Sequence, residues 1–108
     1  MVEYTMQLDG VFGALADPTR RDILSRLSSS QMNVSEIAAV YEVSLAAISK
    51  HLKILEQACL IRKRKAGKER IVSLDAKAMR QAAQYLKQYE RQWNERFDRL
   101  EIILKEDV

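Results

Sequence analysis

Basic residues crowd one stretch of the chain. Lys50, Lys53, Arg62, Lys63, Arg64, Lys65, Lys68 and Arg70 fall between Ser44 and Val72, against only Glu56 and Glu69. The chain of 108 residues carries a net charge of just +3, so the remainder is acidic. Cations gathered in this way can neutralise a polyanion, and their N–H groups suit phosphate oxygens. The alternative is a solvated basic face. The segment from Ser44 has the chemistry of a helix that enters a nucleic-acid groove. Ala46 and Ala47 are small and permit close approach, and Lys50 can donate to a guanine edge or to phosphate. Ser44 and the free amides behind it suit a phosphate oxygen. Ser49, His51 and Lys53 flank the same surface.

These side chains need a helix to hold them. Leu45, Ile48, Leu52 and Leu55 share one side at about 100° per residue, which turns Lys50 outward. Ile54 also falls on the outer side, and another helix, part of the dimer framework, is expected to cover it. Asn33 opens a short preceding helix, with Glu36 placed for a capping box and Val34, Ile37, Ala38 and Tyr41 as its apolar face. Two helices joined by a turn of about three or four residues make a helix-turn-helix. Upstream, Asp17-Pro18 starts a helix bearing Ile23, Leu24 and Leu27. Leu8, Val11, Phe12 and Leu15 suit a short helix before it.

Beyond Cys59 the period changes from helix to strand. Ile61 to Ala66 and Glu69 to Leu74 read as two strands around Gly67, with Val72 and Leu74 facing inward. A hairpin here is a wing, and Arg62, Arg64, Lys65, Lys68 and Arg70 would track phosphates beside the groove. From Ala76 to Lys105 there is no Gly or Pro, while Met79, Ala82, Leu86, Tyr89, Trp93, Phe97, Leu100 and Leu104 recur at threes and fours. A helix of about 30 residues would run about 45 Å, more than so small a domain can cover. Its apolar stripe needs a partner surface, and a second copy of the chain is the simplest one. Leu8, Val11, Phe12, Leu86, Tyr89, Trp93, Phe97 and Leu100 are the expected dimer contacts.

The fold expected is mainly α with a small β-hairpin: a winged helix-turn-helix of order α-α-α-α-β-β-α, dimeric through its terminal helices. It forms one domain over residues 1–108, with 8–75 the DNA-binding core and 76–105 a long dimerisation helix. The expected partners are double-stranded DNA and a second copy. No apolar run approaches the ~20 residues that span a bilayer, and no signal peptide is read at the N-terminus. The single Cys59 suits a reducing cytoplasm. No nucleophile-base motif, phosphate loop or metal cluster points to an enzyme or a cofactor. His51 alone cannot build a metal site.

Three segments resemble one family. Ala14-Leu15-Ala16-Asp17-Pro18-Thr19-Arg20-Arg21-Asp22-Ile23-Leu24, Val34-Ser35-Glu36-Ile37-Ala38 and Ser44 to Leu55 are similar to the ArsR/SmtB-type transcriptional repressors. The resemblance covers roughly Leu8 to Leu74, and it implies a dimeric repressor acting on a palindromic operator. It departs from the family's metal sensors. Val34 to Val40 carries no Cys, and Ala76 to Lys105 carries no His. The chain thus resembles a metal-independent branch. Cys59 and Glu42 stand where the family commonly has Gly, and at Cys59 a left-handed helix end would cost about 1 kcal/mol. Two other readings stay open: a winged-helix module that binds protein, and a DNA-binding protein released by a small molecule or by Cys59 oxidation.

Overall fold

The structure, a computed structural model, describes the backbone of residues 2–106 and the side chains of residues 8–105. Helix α1 (Val2–Leu15) leads into α2 (Pro18–Leu27). A two-residue strand β1 (Met32–Asn33) precedes α3 (Val34–Tyr41) and α4 (Leu45–Gln57). The hairpin β2 (Ile61–Ala66) and β3 (Glu69–Leu74) then leads to α5 (Ala76–Glu106). This is the expected winged helix-turn-helix with one addition. Strand β1 pairs antiparallel with β3 through Met32–Val72 and Asn33–Ile71, giving a three-stranded sheet of order β1-β3-β2. Two residues are too few to show a period in sequence, which is why a hairpin alone was predicted.

The helix ends follow from local chemistry. Asp17 accepts from the Arg20 amide at 3.0 Å, and Pro18 occupies the first helical position, where no N–H is needed. The same turn closes the helix before it. Arg20 Nε donates to the Ala14 carbonyl at 2.7 Å, and Arg21 donates to the Leu15 carbonyl at 2.7 Å. These bonds satisfy carbonyls that the end of α1 leaves open. Asn33 and Glu36 form the expected reciprocal capping box, with the Glu36 amide 2.8 Å from Asn33 Oδ1. Ser44 Oγ accepts from the Ala47 amide at 3.1 Å.

Helix α4 ends in a Schellman motif. The Leu60 amide reaches back to the Leu55 carbonyl at 3.0 Å, and the Cys59 amide to the Glu56 carbonyl at 2.9 Å. The motif needs a left-handed residue, and Cys59 supplies it at φ 62°. Leu55 and Leu60, the apolar pair of the motif, are both fully buried. Glu42 takes the left-handed position at the end of α3, at φ 53°. A Cβ costs roughly 1–2 kcal/mol in that region, so non-glycine residues in strained conformations bracket the recognition helix and its turn. At the wing tip Gly67 has φ 64° and meets the same demand without strain.

One core joins these elements. Ile23, Ile37, Ile48, Leu52, Leu55, Leu60 and Val72 are its largest fully buried side chains, drawn from α2, α3, α4, the connection after α4 and the wing. Leu8 and Val11 were expected at a dimer surface. Instead they lie inside this core at 7% and 2% exposure, because α1 packs onto the first turns of α5 and onto α4. Phe12 is half-buried beside Tyr85, with ring centroids 6.3 Å apart, a contact within one protomer. Past Tyr85 the helix leaves the core. Leu86, Tyr89, Trp93, Phe97 and Leu100 are all exposed, and the molecule is 67 Å long but only 33 Å by 21 Å across.

Candidate nucleic-acid interface

Helix α4 presents its polar side outward, as its sequence period requires. Ile48, Leu52 and Leu55 are buried, whereas Ala46, Ser49, Lys50 and Lys53 are exposed and Ala47 is half-buried. Leu45 corrects the sequence reading. It was placed with the inward leucines but is 55% exposed. It is the first residue of the helix, and a helical Cβ leans toward the N-terminus, so its side chain projects past the core. Ile54, expected under a helix of the dimer framework, is 39% exposed in the protomer.

His51 is half-buried and faces inward. Its Nδ1 lies 3.5 Å from an Arg20 guanidinium nitrogen and 3.8 Å from an Asp17 carboxylate oxygen. When Nδ1 accepts from Arg20, the proton of the neutral ring sits on Nε2. The contact ties α4 to the start of α2. Asp17 is held below the usual carboxylate value, first by the Arg20 amide and then by the Arg20 charge. Its anionic form therefore favours this junction.

The register of the wing sorts its cations. Directly paired residues in an antiparallel ladder share a face. Lys63 pairs with Val72 and Lys65 with Arg70, so these belong to the face that carries the buried Val72. Arg62 and Arg64 alternate onto the other face. Lys63 is accordingly drawn to α4, with Nζ 3.7 Å from Glu56 Oε1. Arg62 turns away to Asp75, with Nε 2.9 Å from Oδ2, and Arg64 reaches Gln31 at 3.0 Å. The predicted wing contacts therefore divide. Lys65, Lys68 and Arg70 remain beside the recognition helix or at the tip, while Arg62 and Arg64 face Asp75 and Gln31. Lys63 was counted among the cations but not among the contacts. The strand alternation contained that signal, since Lys63 shares its phase with Ile61.

Between wing and helix lies an open groove of about 340 Å³. Its walls are the start of α3 (Asn33, Val34, Ser35), α4 (Leu45, Ser49, Leu52) and the wing (Lys63, Lys68, Glu69, Arg70). Polar groups, three cations and the Glu69 carboxylate meet there with the apolar Val34, Leu45 and Leu52, of which Leu45 alone is exposed. Among the described residues, no three His, Cys, Asp or Glu side chains gather as they would around a metal ion. No described helix is long and apolar enough to cross a membrane.

Known proteins share this arrangement. A family model described as a helix-turn-helix domain matches residues 15–64. The transcriptional repressor SdpR of Bacillus subtilis is 34% identical over 79 residues, which cover 73% of this chain and 88% of SdpR. A crystal structure of an ArsR family transcriptional regulator superposes with a TM-score of 0.77 at 36% identity, over 83% of this chain and 93% of that one. The chain belongs to the ArsR/SmtB family of winged helix-turn-helix transcriptional regulators. An HTH-type transcriptional regulator of Mycobacterium tuberculosis is 45% identical over 67 residues. That match takes in 62% of this chain and 63% of the relative, so the chain spans less than two thirds of that protein. The family is one of regulators rather than enzymes, and the ArsR-type regulator with a solved structure shares the winged helix-turn-helix described above.

Proposed function

We propose that this ArsR/SmtB-family chain is a repressor that binds a palindromic operator as a homodimer, without a metal sensor site. The first half of α4 enters the major groove, and the wing lies along the adjacent phosphates. The observation that carries this reading is the groove itself, where the exposed start of α4 faces Lys63, Lys68 and Arg70. Ser44, Ala46, Ala47, Ser49, Lys50 and Lys53 meet the DNA from the helix, and Lys65 adds a further cation on the wing. With Nδ1 turned to Arg20, His51 retains Nε2 for a phosphate. Arg62 and Arg64 contribute to the field from the far face rather than by contact.

The homodimer rests on α5. Leu86, Tyr89, Trp93, Phe97 and Leu100 leave an apolar stripe that one protomer does not cover. Such a stripe marks an interaction surface, and two-fold symmetry matches it to itself. Residues 8–75 act as the reader and 76–105 as the dimerisation helix of one domain, working in the cytoplasm. Metal independence is supported by the scarcity of soft ligands, with one Cys and one His in the chain. Footprinting on the DNA upstream of its own gene tests the reading. Protection of two half-sites about 34–36 Å apart is expected, and a single unpaired half-site would refute the dimer.

A further inference from the structure

Leu45 is the exposed apolar side chain of a groove that three cations line. It is the first residue of α4, 55% exposed, and lines the groove with Val34, Leu52 and, one turn on, Ser49, while Lys63, Lys68, Glu69 and Arg70 lie on the wing side. A leucine there gains nothing from phosphate, and its isobutyl group is better placed against another apolar surface than against water. Ser44 fixes its position by capping the helix, so the side chain is held ahead of the first turn. In a helix-turn-helix the N-terminal residues of the second helix meet base edges. The major groove offers one apolar mark, the C5-methyl of thymine.

We propose that Leu45 reads thymine, packing on its C5-methyl and making that position of each half-site specific. This rests on the DNA-reading function argued above. Cytosine is rejected on two counts: it lacks the methyl, and its N4 amino donor would face the leucine with no acceptor. Ser49 lies four residues on, on the same face of the helix, and is placed for the hydrogen bond of a neighbouring base pair.

The test begins with duplexes enriched from a random-sequence pool by the full chain. Each thymine of the enriched site is replaced singly by deoxyuridine, which deletes only the methyl. Binding is read by fluorescence anisotropy with the native protein and with Leu45→Ala, Leu45→Ser and Leu45→Met. One thymine per half-site should weaken native binding about fourfold on loss of its methyl, the factor for one buried methylene. Leu45→Ala and Leu45→Ser should bind the thymine and uracil duplexes equally, and Leu45→Met should restore part of the preference. Thermal melting of each variant checks that the half-exposed position leaves the fold intact. The assignment is overturned if no thymine responds, or if the response is equally large in Leu45→Ala and Leu45→Ser. A pool from which no duplex is enriched brings down the DNA-reading function itself, and this assignment with it.

Discussion

The hydroxyl of Tyr41, at the end of α3, donates to the carboxylate of Asp22 in the middle of α2, and Arg26 binds the same carboxylate at 3.0 Å from the next turn. This triad joins two helices that are nineteen residues apart at the bond. It also makes stability depend on pH at both ends of the range. Asp22 is held below the usual carboxylate value, first by Tyr41 and then by Arg26. Asp75 is lowered by the Lys77 amide and then by Arg62.

A carboxyl depressed in the folded state stabilises it above the unfolded value of about 3.9, and that contribution is lost as pH falls through the folded value. Chemical denaturation midpoints should therefore decline below about pH 4. Tyr41 behaves in the opposite sense. Burial, then Asp22, pushes its phenol up to about 12. Its contribution is complete below the unfolded value of about 10 and is lost as pH rises toward the folded one. Tyr41→Phe should flatten that alkaline decline, and Asp22→Asn should flatten part of the acidic one.

The two left-handed residues should be improvable. Glu42→Gly and Cys59→Gly each relieve a Cβ clash worth roughly 1–2 kcal/mol and give back part of it in backbone entropy. A net gain of about 0.5–1 kcal/mol is expected, which is a rise of several degrees in Tm for a domain of this size. Calorimetry of the single variants checks this. A fall in Tm would show that Glu42 or Cys59 has contacts that outweigh its strain.

Salt titration should separate the two faces of the wing. Lys65→Ala, Lys68→Ala and Arg70→Ala should each reduce the slope of log K against log salt by about 0.9, the value for one phosphate contact. Arg62→Ala, whose guanidinium is paired with Asp75, should keep the native slope. Equal losses from both faces would contradict the sorting by strand register.

The projecting part of α5 should hold the dimer together. Trp93→Glu places a charge in the middle of the exposed stripe, beside Phe97 at a ring separation of 5.8 Å. Sedimentation equilibrium should then report the 12.5 kDa protomer, while the native chain reports twice that mass. The circular dichroism of the variant should keep the core helices, since Trp93 is exposed and is not among the side chains of the core or packed against it. A native-like dimer mass for Trp93→Glu would move the interface elsewhere.

Much of this architecture was legible in the sequence. The caps at Asp17, Asn33 and Ser44 were readable because each is a local hydrogen-bonding pattern within three residues. The strand limits at Ile61–Ala66 and Glu69–Leu74 were readable because alternation and Gly67 mark them together. What escaped was tertiary. A helical period places Leu45 with Ile48 and Leu52, but it does not say where the core beneath the helix stops. Strand β1 leaves no period to find, and its pairing depends on where β3 ends up. Leu8 and Val11 looked like dimer contacts because α1 has no partner in sequence, whereas in space α4 and α5 cover it. Lys63 belongs to the groove by its strand face, which charge along the chain does not reveal.

Asn33 holds two positions at once. Its backbone belongs to the sheet, paired with Ile71, while its side chain caps α3. The wing and the first turn of α3 are therefore welded at one residue. A change in the angle of the wing must carry the helix-turn-helix with it, so each protomer meets its target as a single rigid die rather than as a pair of jaws. In the dimer proposed above, adjustment of the fit is left to the distance and tilt between two such dies.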